Sequence, residues 1–373
     1  MTRLSAKTIL VPGACTLVVL GGGAEPSSAM PASQIASAVA RQAVSFIPSP
    51  APAGLVSAYV ADYGANTVIP IATATNTVGA SIPVGSRPVA VAITPDGKTA
   101  YVTDYGSGTV TPVTIATNTA GTPIAAGMDP RAIAITPDGS TAYIVNEGPA
   151  GPAAGSVTPV ATATNTAGMP ITVGSDPDAI AITPDGKTAY VANSYAGTVT
   201  PIALATDTAG TPISVGSNSD PAGIAITPDG TTAYVANYGS GTVVPITIAT
   251  NTTGTPINVG GRPDSIAITP DGKTAYVADD TYSGTVIPIA TATGTVGAPI
   301  AVGHNPTGIA ITPDSATAYV ANYDSGTVTP ITHSHQHCGR AAHTWKQPAW
   351  HRNHTRDQVI WANWPDRLAL LLG

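Results

Sequence analysis

Short apolar runs recur along the chain, rich in valine, isoleucine, threonine and alanine, and bounded by Gly, Pro, Asn or Asp. Between Asp129 and Gly174 the runs are "PRAIAIT", "TAYIVN", "SVTPVATAT" and "MPITVG", separated by "PDG", a glycine-rich loop and "NTAG". No helical spacing of apolar positions occurs, and the β-branched content favours strands. The pattern therefore predicts four strands, A to D. In "PDG" the proline presets φ and the glycine accepts positive φ, which predicts a tight A–B turn.

The same unit repeats. Tyr59, Tyr101, Tyr143, Tyr190, Tyr234, Tyr276 and Tyr319 anchor seven variants of "TAYVANYGSGTVTPI", spaced by 42, 42, 47, 44, 42 and 43 residues. Six of the seven carry "ITPDG" or "ITPDS" upstream, and the first has "SFIPSPAPAG" instead. Four strands in a period in the low forties are expected of a propeller blade. The expected fold is thus all-β, a seven-bladed β-propeller of four-stranded blades over residues 43–332, with Ala43–Ile47 supplying the first strand A. One feature conflicts with a regular ladder. Pro70, Pro112, Pro159, Pro201, Pro245, Pro288 and Pro330 fall within strand C, where each removes a donor. A bulge or a break of strand C is expected there.

The elements "YVAN", "ITPDGKTAYV" and "ATNTAGTPIxVG" resemble the YVTN-type β-propeller repeat of secreted and surface-layer-like proteins. The resemblance implies an exported propeller with a binding or scaffold role. It carries over no catalytic residue: the family's Ile-Asp at the end of strand C is replaced here by "TPIxxAT".

Loop lengths indicate which face varies. The spacing of 47 arises from "NEGPAGPAAGS" and that of 43 from "DDTYSG", both B–C loops; that of 44 arises from "VGSNSDP", a D–A loop. Blade topology places these loops on one face, opposite the A–B and C–D turns, and repeat insertions often map to a binding face. Around the start of each strand A stand Arg87, Asp129, Arg131, Asp176, Asp178, Asp220, Arg262, Asp264, His304 and Asn305. They are the candidate ligand-binding residues, expected at loop ends around a central channel; the alternative is a set of solvated loop ends that keeps a low-charge protein soluble. Arg131, Asp178 and Asp264 are expected to be replaceable together without unfolding the blades. Tyr63, Tyr105, Tyr195, Tyr238, Tyr282 and Tyr323 share this rim, either to stack on a sugar or peptide or to close the blade tops.

Composition narrows the chemistry. The chain has 373 residues and a formal charge of -7, with only 9% charged residues. Residues 1–332 hold nine Lys/Arg against nineteen Asp/Glu without a basic run, so no nucleic-acid partner is expected. Seven-bladed lactone hydrolases and quinone-linked dehydrogenases share the expected architecture. Yet between residues 43 and 332 the chain has one glutamate, Glu147, one histidine, His304, and no cysteine. Asp96, Asp138, Asp185, Asp229, Asp271 and Asp314 of the "PD" turns are read as turn formers, and no D-x-D-x-D-G calcium loop occurs. No catalytic residue, metal ligand or cofactor is assigned. The expected function is non-catalytic binding or scaffolding of a protein, cell-wall or glycan ligand by a monomer. The alternative is a lactonase-like hydrolase with a metal in its funnel.

Both ends differ from the repeat. Arg3 and Lys7 precede the apolar "TILVPGACTLVVLGGG" and then small residues, which predicts an export signal over 1–29 and a linker over 30–42. Pro12, Gly13 and the short apolar length argue against a retained membrane span. Cys15 is an incidental cysteine or a lipid acceptor, and with it removed Cys338 has no partner. A secreted or surface-associated protein is expected. The tail, 333–373, holds six of the seven histidines and all four tryptophans. His333, His335 and His337 with Cys338 suggest a metal site. The competing reading is a frameshift. One choice of codons for the segment from Thr332, read one nucleotide out of frame, gives TIATNTAG, the sequence of Thr114–Gly121. The tail is then a disordered, aberrant segment, and the last blade lacks strand D.

Overall fold

The structure is a computed structural model that describes residues 57–149 and 151–333 fully, and the backbone of 44–46 and 337–338. The expected signal, linker, Cys15, His335 and tail tryptophans lie outside the described residues.

Every element among the described residues is a strand, and the strands form seven antiparallel sheets, each of consecutive strands. The innermost strands are Val44–Phe46, Pro88–Ile93, Pro130–Ile135, Pro177–Ile182, Pro221–Ile226, Pro263–Ile268 and Pro306–Ile311. Each lies beside its two neighbours, and the first lies beside the seventh, so the sheets close a ring. The fold is a seven-bladed β-propeller. Strands A, B and C are nearly continuous in burial because each blade packs both faces against other blades: Ala132, Val145 and Val157 are fully buried in one core cluster, and Ile133 and Ile144 in another.

The A–B turns follow from their sequence. Thr94 Oγ1 donates to Asp96 Oδ1 at 2.7 Å, the Lys98 N–H donates to the same oxygen at 3.0 Å, and Gly97 takes φ 68°. The hydrogen bond from Thr94, followed by that from Lys98, holds the Asp96 carboxyl down at about 2. These aspartates are turn formers, as expected.

Strand C corrects an expectation. It runs unbroken against strand B, with Ser57–Asp62 pairing Thr67–Ala72 residue by residue and Tyr59 opposite Pro70. The break falls instead in strand D, which is split into Thr77–Val78 and Ile82–Pro83, both pairing with strand C. The cause is geometric. In an extended strand a residue's N–H and C=O point to the same side. The Gly79 N–H donates to the Pro70 carbonyl at 2.8 Å, so the missing Pro70 N–H also faces strand D and costs the B–C ladder nothing. Strand D receives no return donor and departs for three residues. The proline ring fills the gap, and only glycine fits opposite it: a Cβ on Gly79 would stand 2.9 Å from Pro70 Cγ. Gly121, Gly168, Gly210, Gly254 and Gly297 repeat the bond and the close approach to their prolines.

The blades are joined by a second repeated contact. Tyr59 OH donates to Asn118 Oδ1 of the next blade at 2.8 Å, and Tyr101 does so to Asn165 at 2.7 Å. Tyr143 reaches Asp207 and Tyr190 reaches Asn251. Tyr319 of the last blade donates to Asn76 of the first at 2.8 Å. Burial pushes the Tyr59, Tyr101, Tyr190 and Tyr319 hydroxyls up, so they remain donors at neutral pH. Asn76, Asn118, Asn165, Asp207 and Asn251 have φ between 49° and 54°, a region where a short polar side chain is tolerated.

The seventh sheet keeps this frame where the sequence departs from it. His337–Cys338 pairs with strand C through Thr332↔His337 and Ile331↔Cys338, as Thr119–Ala120 pairs through Thr114↔Thr119 and Val113↔Ala120. His333 Nδ1 meets Tyr276 OH at 2.8 Å, in the place of a latch. The expected incompleteness holds among the described residues: this sheet has four strands, where the other six have five.

The proline–glycine account predicts a mutant pair. Gly297→Ala places a Cβ 2.9 Å from Pro288 Cγ and is expected to destabilise by about 1–3 kcal/mol through overpacking. Adding Pro288→Ala should recover most of that loss in urea unfolding. Equal costs with and without the proline would contradict the account.

Candidate functional site

The B–C and D–A loops interlock at the face where lengths vary. The Tyr105 N–H donates to the Arg87 carbonyl at 2.9 Å, the Glu147 N–H to Asp129 at 3.1 Å, and the Ser194 N–H to Asp176 at 2.7 Å. The acceptors immediately precede the first proline of strand A. Arg87, Asp129, Asp176, Asp220 and Asn305 take φ between 43° and 52° there. Their position is thus fixed by a backbone turn, and their side chains are free to differ.

The ten candidate residues divide into two groups. Arg131, Asp178 and Asp264 are 3%, 2% and 1% exposed, contrary to the expectation of loop ends. The reason is a register shift at the start of strand A: Pro130 pairs with Asn146 but Ala132 with Val145, leaving Arg131 as the extra residue, and Asp178 and Asp264 occupy the same bulge in their blades. A bulge re-aims its side chain, here into the protein. Replacing the three together therefore tests folding rather than ligand capture.

Arg131 is the centre of a buried ionic cluster. Its Nε lies 3.0 Å from Glu147 Oε2 in the same blade and 3.0 Å from Asp178 Oδ1 in the next. Its guanidinium sits over the Tyr105 ring at 5.8 Å. Burial alone lowers the Arg131 pKa, but Asp178 and Glu147 more than offset it, and the net shift is upward. Burial pushes the Glu147 carboxyl up, Arg131 opposes it, and Asp176 adds to the rise. With its Nε held by two carboxylates, Arg131 bridges adjacent blades and is poorly placed to receive a ligand. Glu147 was not among the candidates, and its being the single glutamate of the repeat region was the available signal; Tyr105 is one of the expected rim tyrosines.

The other seven form the rim, with Arg87, Arg262 and His304 exposed and Asp129, Asp176, Asp220 and Asn305 half-buried. The Arg87 guanidinium lies over the Tyr63 ring at 5.7 Å, and that of Arg262 over Tyr238 at 5.6 Å with Nη1 3.3 Å from the phenol oxygen. His304 stacks on Tyr282 at 4.4 Å with planes 11° apart, and its Nδ1 meets the Tyr282 carbonyl. Asn305 Nδ2 donates to Asp324 Oδ2 at 2.8 Å. Tyr195 and Tyr282 are 61% and 73% exposed, whereas Tyr63 and Tyr105 pack partly against the core. The rim tyrosines thus differ in depth, and the packed pair closes the blade tops. Among the described residues no cluster of three or more His, Cys, Asp or Glu is placed to hold a metal ion.

Below the rim runs a polar ring absent from the candidate set. Asp62, Asp104, Asn146, Asn193, Asn237, Asp279 and Asn322 end strand B in successive blades and are buried. The sequence signal was the last position of "YVAN". Asn146 Nδ2 donates to Thr158 Oγ1 at 3.0 Å, whereas Thr111 Oγ1 donates to Asp104 Oδ2 at 2.5 Å. Burial raises the Asp104 carboxyl to about 6 despite the hydrogen bonds from Thr111 and Thr109. A cavity of about 430 Å³ lies elsewhere, beside the Tyr101–Asn165 latch, lined by Pro112 and Ile124.

The raised Asp104 pKa sets a pH dependence. The native state holds this proton more tightly than the unfolded chain. The associated stability is fully present below the ordinary carboxyl pKa of 3.8 and is lost as pH rises through about 6. Asp104→Asn, copying Asn146, is expected to remove this pH dependence and to stabilise by about 1–3 kcal/mol at pH 7.5. Urea unfolding at pH 4 and pH 7.5 measures both effects; an unchanged slope with pH would contradict the assignment.

A family model described as "Lactonase, 7-bladed beta-propeller" matches residues 80–252, under half of the chain. No curated protein matches. Among solved structures, the chain is similar to one titled Kuenenia stuttgartiensis Hydrazine Synthase, at 22% identity and TM-score 0.72, covering 79% of this chain and 96% of that one. It is also similar to a functionally unknown protein from Desulfotomaculum acetoxidans DSM 771, at 20% identity and TM-score 0.63, covering 75% and 93%. Identities this low establish the architecture alone: the chain is a seven-bladed β-propeller.

Proposed function

We propose that this chain is an exported, surface-associated binding propeller of the YVTN type, whose B–C/D–A loop face takes a cell-wall or glycan ligand. The observation that carries the reading is the division of the candidate residues. Arg131, Asp178 and Asp264 are withdrawn into the protein, while Arg87, Arg262, His304 and the exposed rings of Tyr195 and Tyr282 remain on the face. Flat aromatic and guanidinium surfaces suit sugar rings, which offer one apolar face and a rim of hydroxyls. Variable loops on a rigid ring supply specificity without altering the fold.

A second reading is lactone hydrolysis, favoured by the family match over residues 80–252, which include the Arg131 cluster. It requires a base to activate water and a donor for the carbonyl oxygen. Glu147, with its raised pKa, is the candidate base, and it must first release Arg131.

One experiment separates the two. Purified protein is sedimented with isolated cell-wall polysaccharide, and the same preparation is assayed on a panel of lactones. The binding reading predicts co-sedimentation, reduced about tenfold in affinity by Tyr282→Ala with Arg262→Ala, since each stacked side chain contributes about 0.5–1.5 kcal/mol. It predicts no lactone turnover. Turnover abolished by Glu147→Gln, without co-sedimentation, would replace it with the hydrolase reading.

A further inference from the structure

Six blades cover the outer half of strand C with the second piece of strand D. Val286 pairs with Ile300 and Thr285 with Ala301 in the sixth blade, and Val68 with Ile82 in the first. Val110, Val157, Val199 and Val243 have the same partner type. Beneath that cover all six valines are 0% exposed, and Ile82, Ile171 and Ile300 are themselves buried. Two residues on, the Val302 N–H donates to the Gly284 carbonyl at 3.0 Å, and the Val84 N–H to the Asn66 carbonyl at 3.1 Å.

In the seventh blade, strand C is Thr327–Thr332, and its outer partner among the described residues is His337–Cys338, which meets only Ile331 and Thr332. On the side away from strand B, no described segment pairs with Thr327 or Val328. Val328 accordingly is only partly buried, unlike its six counterparts. Strand C retains its register against strand B through Ala321↔Val328 and Asn322↔Thr327, so the uncovered edge is already built in the geometry the other blades use.

We propose that this edge is a strand-addition site, which binds an extended, uncharged segment of another polypeptide carrying Ile-x-Val. The isoleucine lies opposite Val328, and the N–H of the following valine donates to the Gly326 carbonyl. The six filled blades define both the side-chain pocket and the backbone bond that select this segment. The site stands at the outer edge of the seventh blade, at the end of strand C that adjoins its B–C loop. An exposed edge with an apolar notch draws such strands, and a charge at the isoleucine position excludes them.

The test uses the full chain and a fluorescent peptide GAPIAVG, copying Gly297–Gly303. Saturable one-to-one binding is expected by anisotropy, with slowed hydrogen exchange at the Gly326–Val328 edge. Changing the peptide isoleucine to aspartate should weaken binding by at least about tenfold, since it exchanges a buried apolar side chain for a charge. Val328→Lys in the protein should do the same; the partly exposed site tolerates lysine, and the peptide change serves where it does not. Absence of saturable binding overturns the proposal, including the case where the chain's own residues after Cys338 fill the edge. Binding insensitive to the isoleucine also overturns it.

Discussion

Closure of the ring at the junction of the first and last blades is the constraint on which the rest depends. Each sheet is built from consecutive strands, so no blade is shared between the two ends of the chain. The ends are held together by side contacts: the inner strands Val44–Phe46 and Pro306–Ile311 lie adjacent, and Tyr319 latches onto Asn76. The same latch joins earlier neighbours, which makes the junction one interface among seven rather than a special fastening. Its donor is a buried phenol and its acceptor a turn residue with positive φ, so strand B of one blade is tied to the C–D turn of the next. With one side of the ring fixed by these turns, the opposite loops can vary in length without loosening the blades.

The sequence carried the repeat because each element has its own chemistry. The tyrosine spacings located the blades, and the "PDG" turns located the A–B connections. Strand pairing was legible from β-branched runs, but the consequence of the strand-C prolines was not. Whether Pro70 breaks its own strand or its neighbour depends on which side its N–H would face, and that is decided by register. The glycine of "NTAG" was read as a turn residue, whereas Gly79 and its counterparts serve by their lack of a Cβ against a proline ring.

The candidate site was legible in its location and less so in its depth. Arg87, Arg262 and His304 stand on the face where loop lengths placed them. Arg131 lies two residues beyond a similar turn and is buried, because a bulge at the start of strand A turns it inward. No local pattern distinguishes a bulged residue from a loop end. The pairing of Arg131 with Asp178 joins residues 47 positions apart that share one place in adjacent blades, and a repeat alignment read across blades would have suggested it. The cluster gives the third and fourth blades a charged brace. Removing one partner from such a group leaves buried charge without compensation.

Ring closure is most directly tested by a double-mutant cycle at the last junction, combining Tyr319→Phe with Asn76→Gly. Glycine tolerates the positive φ of Asn76, and Gly294 already occupies the corresponding turn of the sixth blade, where Tyr234 donates to the Thr291 carbonyl instead. Urea unfolding of the full chain should give a coupling energy of about 0.5–1.5 kcal/mol, with loss of stability across a single cooperative transition. Additivity within about 0.3 kcal/mol would show that the latch does not hold the ring closed.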